Sequence, residues 1–120
     1  ILFFYLGCPG CVGRAIPFAN KMVFEHSGNI NVLGTHSNFE GPEYSNGEII
    51  QSLNALHVRF PFFRDLGLAT TFFNYQAGGT PHWILINKEG IVVRSIFGSD
   101  PNRALLWLDY AIMEELDNSH

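Results

Sequence analysis

An α/β domain built on a central mixed five-stranded sheet is the architecture that three observations predict. The chain starts with a continuous apolar run, Ile1–Leu6, whose β-branched and aromatic content suits a strand buried on both faces. Strand-like and helix-like patterns then alternate as βαβαβ, which requires parallel strands joined by right-handed crossovers. The rest of the chain reads αββα and contains a hairpin, HWILIN and IVVRSIF joined by KEG, that must attach on the other side of the first strand. The predicted order across the sheet is therefore 60–63, 30–35, 1–6, 82–87, 91–97, with helices on both faces.

Each element has its own local reason. Cys8-Pro9-Gly10 is a turn, after which Val12, Ala15, Ile16, Ala19, Met22 and Val23 recur at helical spacing as far as HSGN. Gly28 is the expected C-terminal cap of that helix, and Pro17 should bend it by removing a donor and crowding the carbonyl four residues back. Ile30–Thr35 is the next strand. A polar loop with Gly41 and Pro42 leads to SNGE, residues 45–48, a Ser-x-x-Glu capping box ahead of Ile49, Ile50, Leu53 and Leu56 on one helical face. RFPFF, residues 59–63, gives a short strand that Pro61 confines to an edge. Thr70–Gln76 is a short helix stopped by Gly78 and Gly79. Asp100-Pro101 marks the start of the last helix, whose apolar face is Leu105, Leu108, Ala111, Ile112 and Leu116.

Composition narrows the function classes. The 120 residues are 47% hydrophobic and 15% charged, which is globular and excludes a disordered chain. Eleven Phe residues make core burial the large stabilising term, so the fold does not depend on a disulfide staple. A net charge of −4, with only seven scattered Lys and Arg, forms no basic stripe and argues against nucleic acid. No apolar run approaches the ~18 residues of a membrane helix. No repeat, low-complexity tract or linker divides 1–120, which reads as one domain. Ile1–Gly7 could be mistaken for the tail of a signal sequence, but no basic segment precedes it in this sequence and no small-residue cleavage site follows, so a strand is expected there. The chain begins without Met, so upstream residues are expected to be missing and the compartment is not legible.

The only two cysteines stand at 8 and 11, in the opening ILFFYLGCPGC. A structural zinc site would need two more ligands, and His26, His36, His57, His82 and His120 are scattered without a ligand-like pair. A structural disulfide across so small a loop would remove little chain entropy. A redox pair explains the placement. At the start of a helix, the positive end of the macrodipole and the unpaired N–H groups favour a thiolate. Cys8 should be exposed and nucleophilic, and Cys11, one turn inside, should be more buried and able to attack a mixed disulfide. Pro9 suits an early helix position, and Gly10 leaves room for a partner's backbone. A second motif, GGTPHWILIN at 78–87, puts Thr80-Pro81 immediately before a core strand. A cis Thr80–Pro81 bond facing the cysteines would leave the Thr80 backbone free to pair with an extended substrate, whereas a trans proline would merely begin the strand.

Strand–CPGC–helix followed by GGTPHWILINKEGIVV resembles the thioredoxin-like superfamily over nearly the whole chain. The helix and short strand at 46–63, together with NVLGTHSNFE, are similar to the TlpA/ResA and peroxiredoxin-like (redoxin) branch. The resemblance implies a thioredoxin-like fold, with Cys8 as attacking thiol, Cys11 as resolving thiol and Pro81 as the cis-proline; Pro9, Gly10 and Thr80 would line the substrate site. By the same resemblance Glu40 would move a proton to or from Cys11, and His36 would line that cleft. A solvated loop carboxylate is the plainer reading of Glu40, and a strand-end cap that of His36. Two departures stand out: Gly7 replaces the Trp that often precedes the first cysteine, and the peroxiredoxin Thr-x-x-Cys is absent. Strand alternation should turn His82 away from the thiols, and Trp83, Trp107 and the Phe residues read as core.

Three functions follow. In the first, a thiol–disulfide oxidoreductase, protein thiols and disulfides are the substrates and a reducing or oxidising partner dithiol supplies or removes electrons. That chemistry needs no bound cofactor. In the second, a two-cysteine thiol peroxidase, one thiolate becomes sulfenic acid and the other condenses with it. In the third, a thioredoxin-like binding module, the cysteines are incidental.

Overall fold

The computed structural model describes residues 1–67 and 69–118, so His120 lies outside the described residues. The strands are β1 (Leu2–Phe4), β2 (Gly34–His36), β3 (Phe62–Arg64), β4 (His82–Ile86) and β5 (Val92–Phe97). The α-helices are α1 (Ile16–Glu25), α2 (Asn46–Ala55), α3 (Thr70–Asn74) and α4 (Ala104–Asn118). One mixed sheet is ordered β3-β2-β1-β4-β5, the order expected from the sequence. β1 runs parallel to β2, and β2 to β3, while β4 is antiparallel to both β1 and β5.

β1 is central because nothing on it is compatible with water: Leu2, Phe3 and Phe4 are each 0% exposed. Alternation sends their side chains to opposite faces. Leu2 and Phe4 join Trp83, Ile16, Ala19 and Met22 from α1, Ile49 and Leu53 from α2, and Leu105, Leu108 and Ile112 from α4. Phe3 joins Ile84, Ala69 and Phe72 on the other face, where α3 packs. The sheet is thus covered on both sides, as buried parallel strands require.

Several boundaries differ from the sequence reading. β2 is confined to 34–36, because from Ile30 to Leu33 the chain only approaches β1, reaching it through Leu2 N–H to Leu33 O at 2.8 Å. β3 begins at Phe62, one residue past Pro61, whose carbonyl still accepts from Gly34 N–H at 2.9 Å. The first helix starts with a π-helical turn, Cys11–Ala15, in which Ile16 N–H bonds Cys11 O. Pro17 follows that turn at the opening of the α-helical stretch, where its missing donor is absorbed by the change of register. Helix α1 ends at Glu25 with His26 as cap, and Gly28 (φ 83°) serves the following turn. Helix α3 is ended by Gln76 in the left-handed region (φ 59°), two residues before Gly78. The capping box is complete, with Glu48 N–H donating to Ser45 Oγ at 3.1 Å and Ser45 N–H to Glu48 Oε1 at 3.0 Å. Of its predicted apolar face, Ile49 and Leu53 are buried and Ile50 is exposed. Phe24, Phe63, Phe73, Phe97 and Trp107 are also exposed, against the expectation that these aromatics belong to the core.

One buried carboxylate ties β3 to α3. Asp65 is 5% exposed and accepts from Ser37 Oγ (2.9 Å), Thr71 N–H (2.8 Å) and Phe72 N–H (2.9 Å). Burial pushes its pKa up, but the hydrogen bonds from Phe72, Thr71 and Ser37 together outweigh it and hold the pKa below the ordinary 3.8. A depressed folded-state value means that stability is present above the unfolded pKa and lost as pH falls through the folded one. Asp65→Asn should therefore lower unfolding stability by about 1.5–3 kcal/mol at pH ~7. Urea titrations at falling pH should show the gap between wild type and variant closing below pH ~4.

Candidate active site

The C-terminal end of β1 runs directly into a helix start. Cys8 N–H closes a turn onto Tyr5 O at 3.0 Å. Pro9 and Gly10 are the first helical residues, so Cys8 occupies the capping position with proline immediately inside it. Cys8 takes the place of the Ser or Asp usual there: its Sγ accepts from Cys11 N–H at 3.3 Å. Its carbonyl accepts from Cys11 N–H at 3.1 Å and Val12 N–H at 3.2 Å. Both cysteines are free thiols, Cys8 half-buried and Cys11 fully buried in the core. Burial drives the Cys11 pKa upward and the adjacent Cys8 thiol adds to it, while the Tyr5 backbone and the Thr80 side chain act in the opposite direction. Cys11 therefore stays protonated while Cys8 faces solvent.

The strand entering from the other side completes the site. The Thr80–Pro81 bond is cis, and Cys8 Sγ–H donates to Thr80 O at 3.4 Å. Pro81 O accepts from Gly98 N–H at 2.8 Å, tying the end of β5 to the same loop. A Cβ on Gly10 would lie 2.6 Å from Ser99 Oγ and 3.8 Å from Pro81 Cδ, so Ser99 leaves no room for a side chain at 10 while Pro81 stands at ordinary contact distance. Cys8, Thr80, Gly78, Gly79, Tyr5, Tyr44, Phe39, Glu40 and Phe97 wall an open groove of about 890 Å³. Pro9, Gly10 and Pro81 lie outside that wall: Pro9 is exposed between the cysteines, Gly10 half-buried and Pro81 buried.

Glu40 stands exposed in the groove wall, and its charge helps raise the Tyr5 pKa after burial and Tyr44. Apart from burial, the groups that act on the Cys11 thiol are Cys8, Tyr5 and Thr80. His36 does not line the cleft. It is 2% exposed behind the Tyr5–Cys8 turn, its ring against Phe4, Tyr5 and Tyr44, and its Nε2 accepts from Leu6 N–H at 3.2 Å. Burial, and then the positive charge of Arg64, lower its pKa to about 4, so it is neutral near pH 7. Its place is structural, as a brace for the backbone entering Cys8. His82 is likewise engaged within the fold, with Nε2 2.7 Å from Ser95 Oγ and Nδ1 accepting from Gly78 N–H at 3.4 Å.

Three contributors escape the sequence reading. Tyr5 fills the space beside Gly7, where a Cβ would lie 2.5 Å from its ring, and its hydroxyl donates to Pro42 O. That contact pins the Glu40 loop beside Cys8 and leaves no room for a larger residue at 7. Phe97 packs on Gly79, where a Cβ would sit 2.7 Å from its ring, and Ser99 abuts Gly10. Only the i, i+2 relation of Phe97 and Ser99 at the end of the last strand hinted at either. Among the described residues, no group of three or more His, Cys, Asp or Glu could hold a metal ion, and no helix is long and apolar enough to cross a membrane.

No family model matches the chain, and no curated protein matches its sequence. Solved structures do. A thioredoxin-like superfamily protein is 31% identical, with a TM-score of 0.84 over 96% of this chain and 77% of its own. A thiol-disulfide isomerase from Corynebacterium glutamicum is 26% identical, with a TM-score of 0.83 over the same shares. A putative thiol:disulfide interchange protein from Chlorobium tepidum, 21% identical with a TM-score of 0.82 over 96% of this chain and 77% of its own, shares the fold.

The asymmetry of burial predicts asymmetric labelling. Iodoacetamide should modify Cys8 at least ~10-fold faster than Cys11 in the native protein, and the two rates should converge in denaturant. Mass spectrometry of the quenched protein reads both. The His36 ring should titrate at about 4 by NMR, far below the ordinary 6.5. Because the unfolded chain takes up that proton first, His36 lowers stability progressively as pH falls from about 6.5 to about 4.

Proposed function

The chain belongs to the thioredoxin-like superfamily, and within it we propose a thiol–disulfide oxidoreductase that exchanges disulfides with protein substrates through Cys8 and Cys11. The observation that carries this reading is the asymmetry of the pair. One sulfur stands half-exposed at a helix start, facing Thr80 O, and the other is buried one turn inside. The isomerase relative, at 26% identity, supports the same chemistry.

In the reducing direction the Cys8 thiolate attacks one sulfur of a substrate disulfide. The substrate S–S bond breaks, a Cys8–substrate disulfide forms, and the other substrate sulfur leaves as a thiolate that takes a proton from water. The Cys11 N–H aimed at Cys8 Sγ lies where negative charge resides before attack and again on departure. Cys11 then loses its proton and attacks Cys8 Sγ. The Cys8–Cys11 bond forms as the Cys8–substrate bond breaks, and the second substrate sulfur leaves as a thiolate that takes up the proton Cys11 released to solvent. Two electrons have passed to the substrate, and a partner dithiol restores the pair. The same steps reversed oxidise a substrate dithiol. Thr80, Pro81, Pro9 and Gly10 form the surface on which an extended substrate lies, its backbone pairing with that of Thr80.

Single variants test the roles. Cys11→Ser keeps attack and loses resolution, so mixed disulfides with disulfide-bearing proteins should accumulate on non-reducing gels. Cys8→Ser should trap almost none. More trapping by Cys8→Ser would reverse the assignment. Rapid peroxide consumption with a thiol donor, in the absence of disulfide exchange, would replace this reading with the peroxidase one.

A further inference from the structure

We propose that His82 is a positioning residue for polypeptide substrates: its ring holds the Gly78–Thr80 loop in place, and with it the Thr80 backbone on which an extended substrate would lie. This deepens the oxidoreductase reading and rests on it. His82 is not part of the groove wall. It follows Pro81 at the start of β4 and is 6% exposed. It shares one face of the sheet with Phe3 and Phe97, its partners in register on β1 and β5.

The loop needs such a hold. Two glycines precede Thr80, and a Cβ on Gly78 would meet nothing within 4 Å, so that residue borders open space. Gly79 lies against the Phe97 ring, and beyond it Thr80 O accepts from Cys8 and Pro81 O from Gly98 N–H. Ahead of Thr80 the hydrogen bond is Gly78 N–H donating to His82 Nδ1 at 3.4 Å. That bond closes residues 78–82 into a loop with Thr80 at its centre.

The ring is fixed for this task. A backbone N–H only donates, so Nδ1 carries no proton; the ring proton stands on Nε2, which donates to Ser95 Oγ at 2.7 Å. Ser95 thereby selects the tautomer and the ring orientation that Gly78 requires. A protonated ring would make Nδ1 a second donor and lose the Gly78 bond. Burial alone lowers the His82 pKa from 6.5. Its neighbours on that face of the sheet are Phe3, Ile84, Ser95 and Phe97. On the α3 side, Tyr75 is packed on Phe3, and the Asp65 carboxylate is bonded to Ser37, Thr71 and Phe72.

The test compares the reduced protein's second-order rate constants on a disulfide-bearing peptide free of titratable side chains and on bis(hydroxyethyl) disulfide, which has no backbone N–H. Ionisation of Cys8 enters both rates and cancels in their ratio. For wild type the peptide-to-small ratio should fall at least threefold between pH ~7 and pH ~5, a range in which His36, at about 4, stays neutral. His82→Asn, whose amide oxygen can accept where Nδ1 does and does not titrate, should keep the pH ~7 ratio within twofold and hold it flat across the range. His82→Leu should lower the ratio at least fivefold at pH ~7. Ser95→Ala, at an exposed position, should lower it at least twofold, and supplies the answer if His82→Leu does not fold. A wild-type ratio insensitive to pH, an equal decline in His82→Asn, or a ratio undiminished in His82→Leu or Ser95→Ala would overturn the positioning role while leaving the exchange reaction standing. If wild type reduces neither disulfide, the oxidoreductase reading fails and the role of His82 falls with it.

Discussion

Everything in this molecule hangs from the burial of β1. The strand is paired with β2 along its three residues and with β4 at Leu2 and Phe3, and it is sealed from water on both faces, so it cannot slide without exposing Phe3 or Phe4. A register slip by one residue would exchange the two faces and place each ring against the wrong helices. The strand is therefore a fixed reference, and its C-terminal end delivers Cys8 to one place. On one side the parallel run continues to β2 and β3; on the other β4 arrives antiparallel. Thr80 and Pro81, immediately before β4, thereby meet Cys8 at the same end of the sheet. Open α/β sheets place their sites where the winding reverses, and here the reversal falls at β1.

That geometry makes the two thiols unequal without any special chemistry. A helix start leaves its first N–H groups without intrahelical partners. Cys8 meets one of these with sulfur instead of oxygen, and so holds its half-exposed thiol in place by a structural bond. Cys11 points from the next turn into the cluster of Leu2, Phe4 and Ile16. Stability and reactivity draw on the same contacts: loosening the core around Cys11 would expose it and remove the difference between the pair.

The parts of this plan written in local sequence are legible from the sequence. Apolar Ile1–Leu6, the SNGE capping box, the KEG hairpin with Gly90 at positive φ, and the position of CPGC after a strand each depend on a few adjacent residues. What depends on tertiary packing is not. The π-helical turn arises from fitting Cys11 and Ala15 into the core ahead of Pro17, and no periodicity distinguishes it from an ordinary turn of helix. His36 appears in the sequence as a cleft residue, yet the three rings around it put it behind the backbone. Asp65 has no motif, because its partners come from the loop after β2 and from the start of α3. Composition also misplaces the aromatics. Eleven Phe residues suggest core, but a core this size closes with Phe3, Phe4, Phe60 and Phe72, and others are left at the surface.

In the oxidoreductase proposed above, Thr80 O is the group through which substrate binding would reach Cys8. In the resting dithiol it accepts the proton of Cys8 at 3.4 Å. Once Cys8 loses that proton to a reaction, Thr80 O is left without this donor. In the function proposed above, a substrate chain presenting a backbone N–H would supply the carbonyl with a new one. The same contact persists in the mixed disulfide, where Cys8 has no proton to give. Docking an extended backbone would therefore keep Thr80 O hydrogen-bonded in the mixed disulfide, where Cys8 cannot serve it. A small disulfide without a backbone N–H would forgo that hydrogen bond, and this would separate polypeptide substrates from small ones at the thiol itself, before any side chain is recognised.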